Sequence, residues 1–188
     1  MIVERIGSYF LFIQGFRSTG VIDSENVLGD LRGSVDEVDL QLLRADRVAG
    51  KEHIIFAARN AVDSFRGEDR RAKHLSMELL LFASGEHQIV EAIKLLGIDS
   101  SSTELVLVGL SGTRLELSPL ISRVGKMVKG MPDDTVLDIE TTTKVRALRK
   151  AYNISDRELD SSRMPREDEN EVLKRLVIER SALLVLEN

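Results

Sequence analysis

Apolar positions along this chain switch between two spacings, and each switch marks an element. Residues 2–16 carry Tyr9, Phe10, Phe12, Ile13 and Phe16 with few breakers and predict a strand. Asp23 and Ser24 suit the cap of a short helix over 25–32, closed by Gly33. Residues 39–48 predict a second strand, rich in Leu and Arg. Over 52–66, Ile55, Ala58, Val62 and Phe65 recur at spacings of three and four, which places one apolar face on a helix. The next helix, 73–83, has Leu75, Leu79 and Phe82 in line. Leu80 and Leu81 widen that stripe, so this helix is expected to be nearly surrounded by protein. Ser84 and Gly85 break it. Residues 86–96 follow with Ile89, Ile93 and Leu96 in line, closed by Gly97. So short a connection implies a helical hairpin or a sharp bend.

The second half begins with TELVLVGL, residues 103–110, the clearest strand in the chain. Ser111 and Gly112 are expected to turn it into a partner strand over 114–117. Pro119 suits the first turn of a helix running to about residue 129. Residues 136–139 predict a further strand. Thr141, Thr142 and Thr143 precede a basic helix ending near Tyr152, and Ser155 with Glu158 has capping-box spacing. Pro165 is expected to open a last helix over about 166–186. Glu167, Asp168 and Glu169 lie in its first turn, where negative charge complements the helix dipole. That helix ends in Ala182, Leu183, Leu184, Val185 and Leu186. Chain ends are usually polar, so this apolar end must dock on the protein's own core or on a partner. Strands and helices are mixed without βαβ alternation. The expectation is an α+β fold in one domain over 1–188, with helices packed on a small, largely antiparallel mixed sheet in two layers.

Composition narrows the class. A chain of 188 residues with 43% hydrophobic and 30% charged residues buries roughly 70% of its unfolded surface, enough for a core without staples. The absence of cysteine excludes disulfides, thiol nucleophiles and thiolate metal sites. No apolar run approaches the ~20 residues of a membrane span. The apolar N-terminal stretch contains Glu4, Arg5 and Gln14, which fits a buried strand better than a signal peptide. The expected location is cytoplasmic, with no membrane contact. A net charge of −5 disfavours non-specific nucleic-acid binding unless basic residues cluster locally.

No catalytic constellation emerges. His53, His74 and His87 lack helical ligand spacing and any thiolate to join them; they read as polar helix-surface residues, with no metal or cofactor expected. The stretch from Gly109 to Gly112 lacks the spacing of a phosphate-cradling loop, as does Gly125-Lys126. There is no GxSxG, and the many carboxylates have no partner base. Asn153-Ile154-Ser155 matches a glycosylation sequon, without consequence in a cytoplasmic protein. The basic residues do cluster. Arg70, Arg71 and Lys73 precede the apolar helix. Arg123, Lys126 and Lys129 recur every three residues, and Lys144, Arg146, Arg149 and Lys150 crowd another helix. Each cluster is either a solvated face or a phosphate-contacting patch. With 4% aromatic residues, a broad base-stacking platform is poorly supported.

The wording of residues 53–98 is more specific. Phe56-Ala57-Ala58-Arg59-Asn60-Ala61 is followed by the basic entry and then by Glu78-Leu79-Leu80-Leu81-Phe82-Ala83-Ser84-Gly85-Glu86-His87-Gln88-Ile89, with Ala92-Ile93 and Gly97-Ile98 beyond. This pattern resembles the kinase-binding subunit of the KEOPS complex, the PRPK-binding protein family. The strand over 103–110 and the apolar C-terminal helix also fit, so the resemblance covers most of the chain. His87 departs from the Arg expected in an archaeal-type member.

The resemblance implies a non-catalytic subunit. Its partner would be the small atypical kinase/ATPase of a complex that makes the threonylcarbamoyl modification of adenosine in tRNA, and it would hold the 3′ CCA end of that tRNA. On this reading Arg59, Arg70, Arg71, Lys73, Leu75 and His87 form the tRNA side. The cations would neutralise phosphates, while Leu75 would pack on an unstacked terminal base. Leu183, Leu184 and Leu186 would form the kinase side, unless some are core. Two other classes compete: a protein–protein adaptor that never touches RNA, and an α+β domain with a small-molecule pocket.

Overall fold

The computed structural model describes residues 1–32, 38–67 and 70–186. Strands β1 (Ile2–Ile6) and β2 (Tyr9–Ser18) replace the one strand expected over 2–16. Gly7, at φ +58°, turns the hairpin in a left-handed conformation that glycine adopts readily. Helix α1 (Ser24–Arg32) follows, with the Asp23 carboxylate accepting from the Asn26 N–H at 3.2 Å. Gly33, expected to close it, lies outside the described residues. Strand β3 (Val38–Arg44) ends sooner than expected, in a 3₁₀ turn over Ala45–Arg47. Helices α2 (Gly50–Arg66), α3 (Leu75–Ser84) and α4 (Ile89–Leu96) lead to strand β4 (Glu104–Ser111).

Two expected strands are corrected here. No strand forms over 114–117; helix α5 (Leu117–Met127) begins instead, and Pro119 lies in its first turn. β4 is apolar on both faces from Leu105 to Leu110 and pairs with two distant strands, β2 and β3. The stretch 136–139 also fails as a strand, because a 3₁₀ turn occupies Asp134–Leu137. The pairing falls earlier, on β5 (Gly130–Pro132), which is too short to show alternation. Helix α6 (Thr142–Ala151) is capped by Thr141, and helix α7 (Asp156–Ser162) is capped by Ser155 as its spacing to Glu158 suggests. Helix α8 (Glu169–Leu186) opens after Pro165 rather than at it. Arg166 sits at φ +70°, and the Glu167 carboxylate accepts from the Met164 N–H at 2.9 Å, so residues 164–167 form a turn.

The fold is α+β. The sheet is antiparallel, in the order β1-β2-β4-β3, with β5 continuing along the edge of β2 beyond β1. Alternation along β2 sorts the core. Leu11 and Ile13 face α2 and α3, while Phe12 and Phe16 face α1 and α5. Helices therefore lie on both faces of the sheet, which is a middle layer rather than one of two. A third apolar cluster joins α6, α7 and α8 through Leu148, Leu159, Leu173 and Val177. Among the described residues, no helix is long and apolar enough to cross a membrane.

Candidate interaction surfaces

Helix α3 is buried almost all the way round, as its apolar sequence requires. One charged residue lies inside it: Glu78 is 0% exposed. A buried carboxylate needs compensation, and this one has it from hydrogen bonds. Its Oε2 accepts from the backbone N–H groups of Arg71 (3.0 Å) and Ala72 (2.8 Å), and its Oε1 accepts from the Ser64 hydroxyl at 2.7 Å. Glu78 thereby clamps the basic entry segment to both α2 and α3. The segment then presents its cations unequally. Arg71 turns inward: its guanidinium lies 5.5 Å from the centre of the Phe82 ring and donates to the Leu184 carbonyl at 3.1 Å. That carbonyl is in the last turn of α8, where a cation complements the helix dipole. Arg70 lies 5.9 Å over the Phe65 ring, and Lys73 and His74 are exposed.

The structure does not gather all six residues expected on the tRNA side. Arg70, Arg71 and Lys73 form one segment. Arg59 is exposed on α2, 4.0 Å from Glu4 of β1, so it faces the hairpin. His87 is exposed in the turn before α4 and lines a pocket of about 350 Å³ with Leu183, Leu184 and Arg180. Leu75 is a correction. It is 0% exposed, in the main cluster with Ala72 and Leu79, and its side chain has no open face for a nucleotide base.

The turn between α3 and α4 is fixed by Gly85. Its N–H reaches the Leu81 carbonyl (2.9 Å) and the Phe82 carbonyl (3.3 Å), and Glu86 N–H also reaches Leu81 (3.3 Å), closing α3 with a Schellman motif. Gly85 has φ +69°, and a Cβ there would sit 2.9 Å from the Arg180 carbonyl oxygen of α8.

Nearby lies a buried polar hub that sequence reasoning missed. His53, expected on a helix surface, is 0% exposed. Its Nδ1 accepts from the Ala49 N–H at 3.3 Å, so Nε2 carries the proton donated to the Ala83 carbonyl at 2.8 Å. Burial holds the imidazole neutral, lowering its pKa to about 4. The Tyr152 hydroxyl lies 3.0 Å from the Arg47 carbonyl and 3.1 Å from that of Ala83. The end of α3 is thus tied to α2 and α6. Lys144, expected in a basic patch, is also buried; it donates to the Val136 (2.6 Å) and Leu137 (3.0 Å) carbonyls, and burial lowers its pKa to about 8. In the same helix, Arg149 pairs with Asp156. Two of the four cations of this cluster are thus bonded within the protein, while Arg146 and Lys150 are exposed.

Helix α4 is the reverse of α3. Its apolar residues run almost all round, yet only Ala92 and Leu96 are buried. Ile89, Val90 (61% exposed) and Ile93 fall within an arc of about 100° and face outward. The sequence pattern grouped Ile89 and Ile93 with Leu96, but the core takes the neighbouring stripe instead. Among the C-terminal leucines, Leu183 is 49% exposed. Leu184 is a second correction: at 1% exposed it belongs to the main core rather than to an open surface. The Leu186 side chain lies outside the described residues. A helix with apolar residues on both sides is normally covered, so α4 has the form of a contact helix.

These features define a class: an α+β protein that offers a basic segment held by a buried carboxylate and a helix with an uncovered apolar face. The comparisons with known proteins are specific. A family described as kinase binding protein CGI-121 matches residues 19–184. Regulatory protein Cgi121 from Methanocaldococcus jannaschii is 32% identical over 114 residues, covering 61% of this chain and 70% of that protein. The chain belongs to the CGI-121 kinase-binding protein family.

Proposed function

We propose that this protein is a non-catalytic, kinase-binding subunit of the complex that threonylcarbamoylates tRNA, and that it recruits tRNA by its 3′ CCA end. The observation that carries the kinase side is the open apolar face of α4. Ile89, Val90 and Ile93 cluster where a stable isolated protein would place polar residues. Leu183 extends the apolar contact from the pocket that His87 also lines. The partner is the small atypical kinase/ATPase of that complex.

The RNA side rests on Arg70 and Lys73, which flank the Arg71 and Ala72 N–H groups that Glu78 holds, with Arg71 joining the segment to α8. Arg59 and His87 are outlying members. The burial of Leu75 and the inward turn of Arg71 favour a second reading, an adaptor that binds the kinase without touching RNA. One experiment separates the two. A gel shift compares tRNA with and without its CCA end, using wild type and Arg70→Glu/Lys73→Glu. The proposal expects binding that needs CCA and that weakens in the variant. Binding of neither tRNA, with kinase co-purification intact, selects the pure adaptor.

A further inference from the structure

The basic cluster at the end of α5 is not used by either surface above. Arg123, Lys126 and Lys129 are all exposed, and among the described residues none has a carboxylate within ion-pairing distance. Other cations of the chain do have such partners, as Arg44 has in Asp46 and Asp99, and Arg175 in Glu167. The carboxylates beside β5 are already taken. Arg17 bonds both Glu104 and Asp133, and Asp134 holds the N-terminal ammonium and the Gly15 N–H. The positive charge of α5 is therefore left uncompensated on a chain whose net charge is −5.

The shape beside it is a groove of about 360 Å³ between α5 and β5, with Ile121, Gly125, Met131 and Pro132 along it and Lys126 and Lys129 on it. Met131 is 73% exposed. Lys129 sits at φ +49°, a conformation uncommon for lysine, and its carbonyl is held by the N–H and hydroxyl of Thr19, both at 3.1 Å. Side chains three apart on a helix are neighbours, about 5–6 Å between Cβ atoms. Arg123 and Lys126 are such neighbours on α5, and Lys129 lies just past the helix end, so the three cations fit a repeating anion. A membrane surface fits less well, because the apolar residues Leu117, Leu120 and Val124 of α5 face the sheet.

We propose that this groove is a second RNA-binding surface, which contacts the phosphate backbone of the tRNA body. This inference rests on the tRNA reading above. The α5 surface lies on the face of the sheet that packs Phe12 and Phe16, while the segment at Arg70 lies over the face that packs Leu11 and Ile13. A single-stranded CCA end cannot lie on both. Their joint use requires an extended RNA that wraps the sheet edge.

The test is the salt dependence of binding for Lys126→Gln/Lys129→Gln, measured with intact tRNA and with a short single strand ending in CCA. Each lost phosphate contact lowers the log–log salt slope by about 0.9, so affinity for tRNA between 50 and 200 mM salt should fall about tenfold less in the variant than in wild type. The short strand should bind both proteins alike. Both side chains are exposed, and an unchanged Tm confirms an intact fold. An unchanged slope on intact tRNA, with wild type binding normally, overturns this surface alone. An equal loss on the short strand also overturns it, because the patch would then serve the CCA end. Wild type that binds no tRNA sinks the tRNA reading itself. Wild-type binding to phosphatidylglycerol vesicles, lost in the variant, assigns the patch to lipid instead.

Discussion

Glu78→Ala is the most instructive perturbation, because one side chain links the core to the basic segment. Truncation removes the acceptor for the Ala72 N–H, whose residue is buried, and for the half-buried Arg71 N–H and Ser64 hydroxyl. A buried donor left unsatisfied costs about 1–3 kcal/mol, and donors nearer the surface recover part of that from water. The lost Cγ methylene adds about 0.8 kcal/mol. The expected destabilisation is about 4 kcal/mol, a large share of the roughly 5–15 kcal/mol of a typical domain. Glu78→Gln keeps a carbonyl oxygen for the two N–H groups and an amide that can donate to Ser64, so it should lose only about 1 kcal/mol. Urea unfolding followed by circular dichroism reads both. A Glu78→Ala loss below about 1 kcal/mol refutes the clamp, as does a Glu78→Gln loss equal to that of alanine. The clamp also makes a functional prediction: under conditions where Glu78→Ala remains folded, tRNA affinity should fall although no phosphate-contacting cation has been removed.

Other outcomes follow from the same geometry. The His53 pKa is lowered from 6.5 to about 4, so the unfolded chain takes up the proton first. Its contribution is fully present above pH 6.5 and is lost as pH falls to about 4, a change of about 3 kcal/mol that His53→Gln should flatten in a pH series of urea midpoints. Gly85→Ala forces a left-handed alanine and a clash with the Arg180 carbonyl, and should lower stability by about 2 kcal/mol in thermal unfolding; an unchanged Tm contradicts that account. Leu75→Ala should behave as a core truncation, losing about 2–5 kcal/mol, whereas a stable variant with impaired tRNA binding would restore Leu75 to the surface.

Much of this fold is legible in periodicity, and the failures have physical causes. Helices α2 and α3 stand out because their apolar spacing repeats over two or more turns, and α6 and α7 because Thr141 and Ser155 supply caps. The β1–β2 turn is hidden because Gly7 and Ser8 interrupt an apolar stretch too briefly to break the pattern. β4 was visible but its partners were not, since pairing with β2 and β3 is set by tertiary structure rather than by the next turn. The basic entry segment was legible as charge. Its clamp was not, although a lone Glu in the run from Leu75 to Ala83 is a readable hint. Leu75 and Leu184 were misplaced for one reason: a leucine beside a charged or terminal stretch looks exposed in one dimension. His53 and Lys144 erred the other way, because polar residues on a helix are expected outside. Here backbone carbonyls of Ala83, Val136 and Leu137 give them partners inside. The open face of α4 was hidden because apolar spacing cannot say which of two adjacent stripes meets the core.

The most direct test of the central claim is a titration of the kinase partner with Val90→Glu/Ile93→Glu. Each exposed apolar anchor of an interface centre is worth about 2 kcal/mol, so the double variant should lose at least about 100-fold in affinity while its Tm stays within a degree or two of wild type. Wild-type affinity in that variant would contradict the assignment of α4 as the kinase-binding helix.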